Sequence, residues 1–342
     1  MSSDLKKYQT KSITPVDEYK CTLSKELQEK AEIEIGETPE VRDKGLREFR
    51  EWIYKNPRII KCRMDSLFLL RFLRCHKYIM HRVKEAFERY LIFREGLDGF
   101  DWFSNLDTER EHLQDLLNAG LYIVLPEKAK TGEKVIMMRM HCCEPDSDVV
   151  NACLTLTTLI METLFDESEE NQIRGFRYIL DVSNIRMKHY FVWSIGTWIR
   201  IMKHIERTLV ARHKGCHVIN MNSALKFVAK IATHNMKDKL RGGLQFHSNA
   251  EELKDFIDLK SLPKEQYGGD YTIEEIVEPY RKALKVRRKL FLSYSQMKIN
   301  QEYYVPSVLK CETKSLNYTL ENKKGGLLTK YDDDSDSDNE NC

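Results

Sequence analysis

Apolar positions in the first third of the chain recur at helical spacing. Leu27 to Ile33 follow Ser24, a helix-capping residue. Thr38-Pro39-Glu40 predicts a helix start: a cap, proline in the first turn, then an acid. Its buried stripe is Val41, Leu46, Phe49, Trp52 and Ile53, and Asn56-Pro57 ends it. Asp65 opens a helix with Phe68, Leu69, Phe72 and Leu73 on one side, and Val83 to Phe93 makes another. Residues 24–97 therefore read as a helical bundle without strands. Residues 1–23, polar and without period, read as disordered.

After a short helix, Leu106 to Asn118, the period changes. Leu121–Leu125 and Lys134–Met140 read as strands joined across Lys130-Thr-Gly-Glu133. Arg174–Ile185, RGFRYILDVSNI, reads as a buried strand ending in Asp181, and Lys214–Asn220 as a second strand after a helical crossover. The ends of parallel strands are where α/β sheets place their crevices. Two helices, Asp146–Phe165 and His189–Ile205, are apolar on nearly every side, which suits either a solid core or the wall of a cavity. A strand at Leu244–His247, a helix at Ala250–Phe256 capped by Ser248-Asn249, and a turn-rich stretch, Leu262–Gly269, follow. Glu274–Leu292 is a C-terminal helix carrying Arg281, Lys282, Lys285, Arg287, Arg288 and Lys289, a run that suits an exposed helix face. Residues 293–342 read as a loop-like extension with an acidic end.

Charge and cysteine content narrow the class. The formal charge is +2, but six of the 53 acids fall in Tyr331–Cys342, which has no Lys or Arg, so the body is more basic than the total. Ser335 and Ser337 stand among those acids, as substrates for an acid-directed kinase or as solubilising residues. Nine cysteines without regular spacing suit a reduced, cytoplasmic chain. The amino terminus lacks a signal-peptide pattern, and the longest mainly apolar uncharged run, Val149–Met161, is 13 residues. A spanning helix needs about 20, so contact with membranes is expected to be peripheral. No nucleotide-binding glycine loop, Gly-x-Ser-x-Gly elbow, His-Glu-x-x-His or zinc-ligand spacing occurs. The expectation is a chain that is not an enzyme of a motif-bearing class and has no cofactor or metal. Asp181, with no nucleophile or base around it in sequence, reads as a residue that orders a loop.

Six segments carry a family resemblance: LFLLRFLRCHKY (67–78), TGEKVIMMRM (131–140), GFRYILDVSNI (175–185), RHKGCHVIN (212–220), KDKLRGGLQFH (237–247) and LPKEQYGG (262–269). In this order and spacing the chain resembles the CRAL-TRIO lipid-binding family, which includes the cytosolic carriers of tocopherol and retinaldehyde. The resemblance implies a helical bundle at 24–97, then a mixed α/β lipid-binding cage at 106–270 with a mainly parallel sheet and a helical lid, then a helix at 271–292. It implies one hydrophobic ligand, tocopherol-, retinoid- or phospholipid-like, exchanged by a monomer transiently bound to phosphoinositide-containing membranes, with no nucleic-acid partner. With that cage in view, the pocket candidates are Leu154, Thr157, Met161, Ile179, Phe191, Ile195, Ile201 and Ile205. Lid candidates are Leu225, Phe227, Val228 and Ile231. By position in the family pattern, Arg212, Lys214 and Lys239, with Arg241 nearby, are the phosphoinositide-binding candidates. The chain departs from the tocopherol-carrier pattern at His76 and Gly243, each in place of an Arg, and at Thr233-His234 in place of a Lys-Pro pair. A phosphoinositide-reading adaptor without transport would use the same basic residues and is the other reading left open.

Overall fold

The computed structural model describes residues 3–95, 105–145, 149–194, 197, 209–221 and 242–304. They divide into two compact units. One holds the described residues of Met1–Asn105, Arg207–Val210 and Leu292–Cys342; the other holds those of Leu106–Glu206 and Ala211–Phe291.

In the first unit the helices start where side chains satisfy their orphan N–H groups. After a short α1 (Ser3–Lys6), α2 (Lys25–Ile35) is capped by Ser24 and ends at Gly36, φ 69°. Helix α3 (Pro39–Lys55) is capped by Thr38, and α4 (Ser66–Cys75) by Asp65. With α5 (Met80–Arg94) they enclose an aromatic core. Phe87 lies edge-on to Phe49 and Phe72, each at 5.0 Å, and Phe72 meets Tyr90 at 5.4 Å. Such pairs add about 1 kcal/mol beyond burial.

Two expectations for this unit are corrected. Within residues 1–23, Tyr8, Val16 and Leu23 are buried. Asp17 accepts hydrogen bonds from the Ser66 N–H at 2.6 Å and from Arg50 at 3.3 Å. These apolar residues have no period to betray them, and each is buried singly. The bundle also contains a strand, β1 (Ile59–Lys61), paired antiparallel with Lys298–Ile299. The stop at Asn56-Pro57 leaves this backbone without helical partners, and the returning chain supplies them. The stretch after Ser293 is thus not merely loop-like: Tyr294 and Tyr304 are buried, and Arg63 donates to the Tyr294 hydroxyl at 2.5 Å.

The second unit is built on a five-stranded sheet, ordered β2 (Tyr122–Val124), β3 (Lys134–Arg139), β4 (Phe176–Asp181), β5 (His213–Ile219) and β6 (Leu244–Phe246). Only β2 is antiparallel to its neighbour. Helix α6 (Glu111–Asn118) precedes β2, and begins later than Leu106 because the Asp107 carboxylate accepts from the Glu109 N–H in a preceding turn. The β3–β4 crossover is α7 (Val149–Glu167) and α8 (Glu169–Arg174), and α9 (Met187–Val192) follows β4. Gly175 opens β4 with φ 83°, and a Cβ there would sit 2.2 Å from the Arg212 carbonyl oxygen. Any other residue would push β5 away.

Helix α7 is long and apolar enough to cross a membrane, yet 83% of that stretch is buried in the fold. Its threonines suit the interior because Thr155, Thr157, Thr158 and Thr163 donate to carbonyls four residues back, at 2.7–2.9 Å. The aromatic helix expected over His189–Ile205 begins at Met187 and turns at Trp193; most of the remainder lies outside the described residues. The stretch Ala250–Asp255 is a 3-10 helix capped by Asn249, followed by α10 (Lys264–Tyr267) and α11 (Ile273–Ser293).

Candidate functional site

Strand alternation gives the sheet two unlike faces. Register places Arg139, Arg177, Ile179, Asp181, His217 and Ile219 on one of them. Tyr122, Ile136, Met138, Tyr178, Leu180, Cys216, Val218, Leu244 and Phe246 lie on the other. The segment 250–267 covers the first face: Phe256 packs on His217 at 4.2 Å, and Gln266 and Tyr267 reach Asp181. Helix α7 covers the second, where Phe165 meets Phe176 at 5.4 Å.

The first face is polar and closed. Asp181, fully buried, accepts from the Ser183 N–H (2.9 Å) and hydroxyl (3.1 Å), Asn220 (2.8 Å), Gln266 (2.8 Å) and Tyr267 (2.7 Å). Burial by itself would raise its pKa, but donation from Asn220, Tyr267 and Ser183 outweighs it and holds the carboxyl below its ordinary range. Arg139 braces Gln266 at 3.2 Å and the Gly120 carbonyl at 3.3 Å. Asp181 is thus a structural acceptor at the C-terminal end of β4. Its acceptor capacity is taken up by the loops after β4 and β5 and by α10.

Further along this face Glu133, Arg177, His217 and His247 form a chain. Arg177 contacts Glu133 at 3.3 Å and His217 at 3.0 Å, and His217 Nδ1 lies 3.0 Å from His247 Nε2. Burial, then the Arg177 charge, then His247 lower the His217 pKa to about 4. An unfolded histidine titrates near ~6.5, so between the two values the unfolded state binds the extra proton and acid weakens the fold. Stability is expected to fall by roughly 3 kcal/mol as pH drops from about 6.5 to about 4. Denaturant titrations of the wild type and His217→Gln across that range check this; identical pH slopes would contradict it.

The second face is apolar and incompletely covered. Tyr122, Tyr178, Leu180, Cys216 and Leu244 are only half-buried. Even so, burial pushes the Cys216 thiol up to about 12 and raises the Tyr122 phenol well above its ordinary value. The polar groups on this face are uncharged: the Tyr122 phenol, the Cys216 thiol, and Tyr178, whose hydroxyl lies 2.9 Å from His213 Nδ1.

Of the pocket candidates, Thr157 is half-buried on α7. Leu154 and Met161 are buried on α7. Ile179 is buried on the opposite face beside Arg177 and Asp181, while its neighbours Tyr178 and Leu180 face α7. Phe191, on α9, is 77% exposed. Ile195, Ile201 and Ile205 lie outside the described residues, as do Leu225, Phe227, Val228, Ile231, Lys239 and Arg241. Arg212 donates to the Ile173 carbonyl, and Lys214 sits half-buried at the irregularity where β5 joins β4. Tyr122, Tyr178, Leu180 and Cys216 also share the α7-facing side of the sheet, as the period of two along each strand requires. Among the described residues no His, Cys, Asp and Glu cluster is arranged to hold a metal.

A mainly parallel sheet with an apolar face under a long apolar helix is thus the frame of the second unit. Residues 118–269 match the CRAL/TRIO domain. The alpha-tocopherol transfer protein-like protein of Mus musculus is 27% identical over 252 residues, 73% of this chain and 72% of that protein. Clavesin-2 of Homo sapiens is 25% identical over 308 residues, 84% of this chain and 93% of that one. Clavesin-1 of Pongo abelii is 27% identical over 248 residues, 72% of this chain and 69% of its own. The crystal structure of Sfh5 aligns with 80% of this chain and 99% of its own at 10% identity, TM-score 0.46.

Proposed function

We propose that this chain carries one hydrophobic ligand in the space between α7 and the apolar face of the sheet, and exchanges it at anionic, phosphoinositide-containing membranes. The carrying observation is the set of half-buried side chains, Tyr122, Tyr178, Leu180, Cys216 and Leu244, that share the one sheet face that α7 covers. The ligand class is tocopherol-, retinoid- or phospholipid-like, and similarity to an alpha-tocopherol transfer protein-like protein favours a tocopherol-like lipid. Burying roughly 400 Å² of apolar ligand surface supplies about 10 kcal/mol before the cost of association. The chemistry is binding: Asp181 has its lone pairs engaged by five donors and performs no bond-making step. Arg212 and Lys214, with Lys239 and Arg241, form the headgroup-facing set, and Leu225, Phe227, Val228 and Ile231 the lid. The protein works in the cytoplasm as a monomer, touching membranes transiently.

Transfer of a fluorescent tocopherol or retinoid analogue between vesicles tests this reading. Cys216→Trp fills the space and is expected to lower transfer at least tenfold with the circular dichroism spectrum unchanged. Transfer equal to wild type contradicts the site. A wild type that binds vesicles and moves no lipid would instead be an adaptor.

A further inference from the structure

Helix α11 carries a charged surface distinct from Arg212 and Lys214. Its inner side buries Ile276, Val277, Leu284 and Phe291. The bases on its outer side differ in how they are compensated. Arg281 is answered by Glu274 at 2.8 Å and by Glu278, Lys282 by Glu278 at 3.1 Å, and Arg288 by Asp107 at 2.7 Å. Lys285, Arg287 and Lys289 make no ion pair among the described residues, and no acid follows Glu278 on the helix. Between Lys285 and Arg287 stands Val286, 80% exposed. Spacings of three and four residues put Lys282, Lys285, Val286 and Lys289 on one helix face. Cations often serve to offset a helix dipole in the last turn, but the last turn of α11 has none.

We propose that the outer face of α11 around Val286 docks on an anionic lipid bilayer. An exposed apolar side chain ringed by uncompensated cations matches both layers of such a surface. The charges meet the headgroups, the lysine stems snorkel, and Val286 meets the acyl boundary. A nucleic acid or an acidic protein would use the charges and leave Val286 idle. The inference deepens the reading of exchange at anionic membranes, and rests on that reading for its purpose alone.

The test uses the full chain and co-sedimentation with phosphatidylcholine vesicles, with and without about 30% phosphatidylserine. Each lost cation is expected to weaken binding about fivefold, so Lys289→Ala loses about fivefold and the Lys285→Ala/Arg287→Ala/Lys289→Ala variant roughly 100-fold. Val286→Asp is expected to weaken binding further than Val286→Ala. Triple-variant binding within about twofold of wild type overturns the proposal, as does a wild type that ignores anionic vesicles. It is also overturned if Val286→Asp binds vesicles like wild type while the triple variant loses single-stranded RNA. Native mass spectrometry of the same samples separates the two readings. An empty protein with helix-dependent vesicle binding removes the carrier and leaves this surface standing. A lipid-loaded protein indifferent to the triple variant does the reverse.

Discussion

Asp181→Ala is expected to destabilise the second unit by about 4 kcal/mol or more. The carboxylate is fully buried and ties three segments that are far apart in sequence: Ser183 in its own loop, Asn220 after β5, and Gln266 with Tyr267 in α10. Its removal strands several buried donors at once, each costing roughly 1–3 kcal/mol, with partial relief where water enters. Asp181→Asn keeps the shape but turns one acceptor into a donor facing donors, so it too loses stability. Denaturant unfolding of both variants checks the role. Wild-type stability in Asp181→Asn, together with loss of turnover of a bound lipid, would make the residue catalytic instead. Because the folded carboxyl is depressed, its contribution is present above the ordinary aspartate range and lost as pH falls through the folded value.

Glu37→Ala should cost the first unit a comparable amount, about 3–5 kcal/mol. Arg74 is fully buried and grips Glu37 through two hydrogen bonds of 2.8 Å. Removing the acid leaves a guanidinium in an apolar interior without its counter-ion. A buried pair is worth little against an apolar replacement, whereas half a pair is expensive. Adding Arg74→Met to Glu37→Ala should therefore recover much of the loss. Equal instability of the single and double variants would show that the cost comes from packing and not from the stranded charge.

Much of this architecture is legible in the residues, because local rules act over a few positions. Ser24, Thr38-Pro39 and Asp65 mark helix starts through groups the backbone needs. The strands 122–124, 134–139, 176–181, 213–219 and 244–246 follow from short apolar runs. Less legible is what depends on partners distant in sequence. Tyr8, Val16, Tyr294 and Tyr304 carry no period, so nothing local announces their burial. The Glu37–Arg74 grip and the Arg177–His217–His247 chain join charges separated by tens of residues. The site shows the same limit more finely. In β4 both faces are apolar enough to be buried, so the run FRYILD does not say whether Ile179 or Tyr178 and Leu180 meet the ligand space. That follows from which face α7 lands on, a property of the whole unit.

The most direct measurement is native mass spectrometry of the purified full chain, followed by lipid extraction, for the wild type and Cys216→Trp. The carrier account predicts one hydrophobic molecule per wild-type chain and none in the folded variant. A wild type without bound lipid, or a variant that retains it in full, would contradict a ligand space between α7 and the sheet.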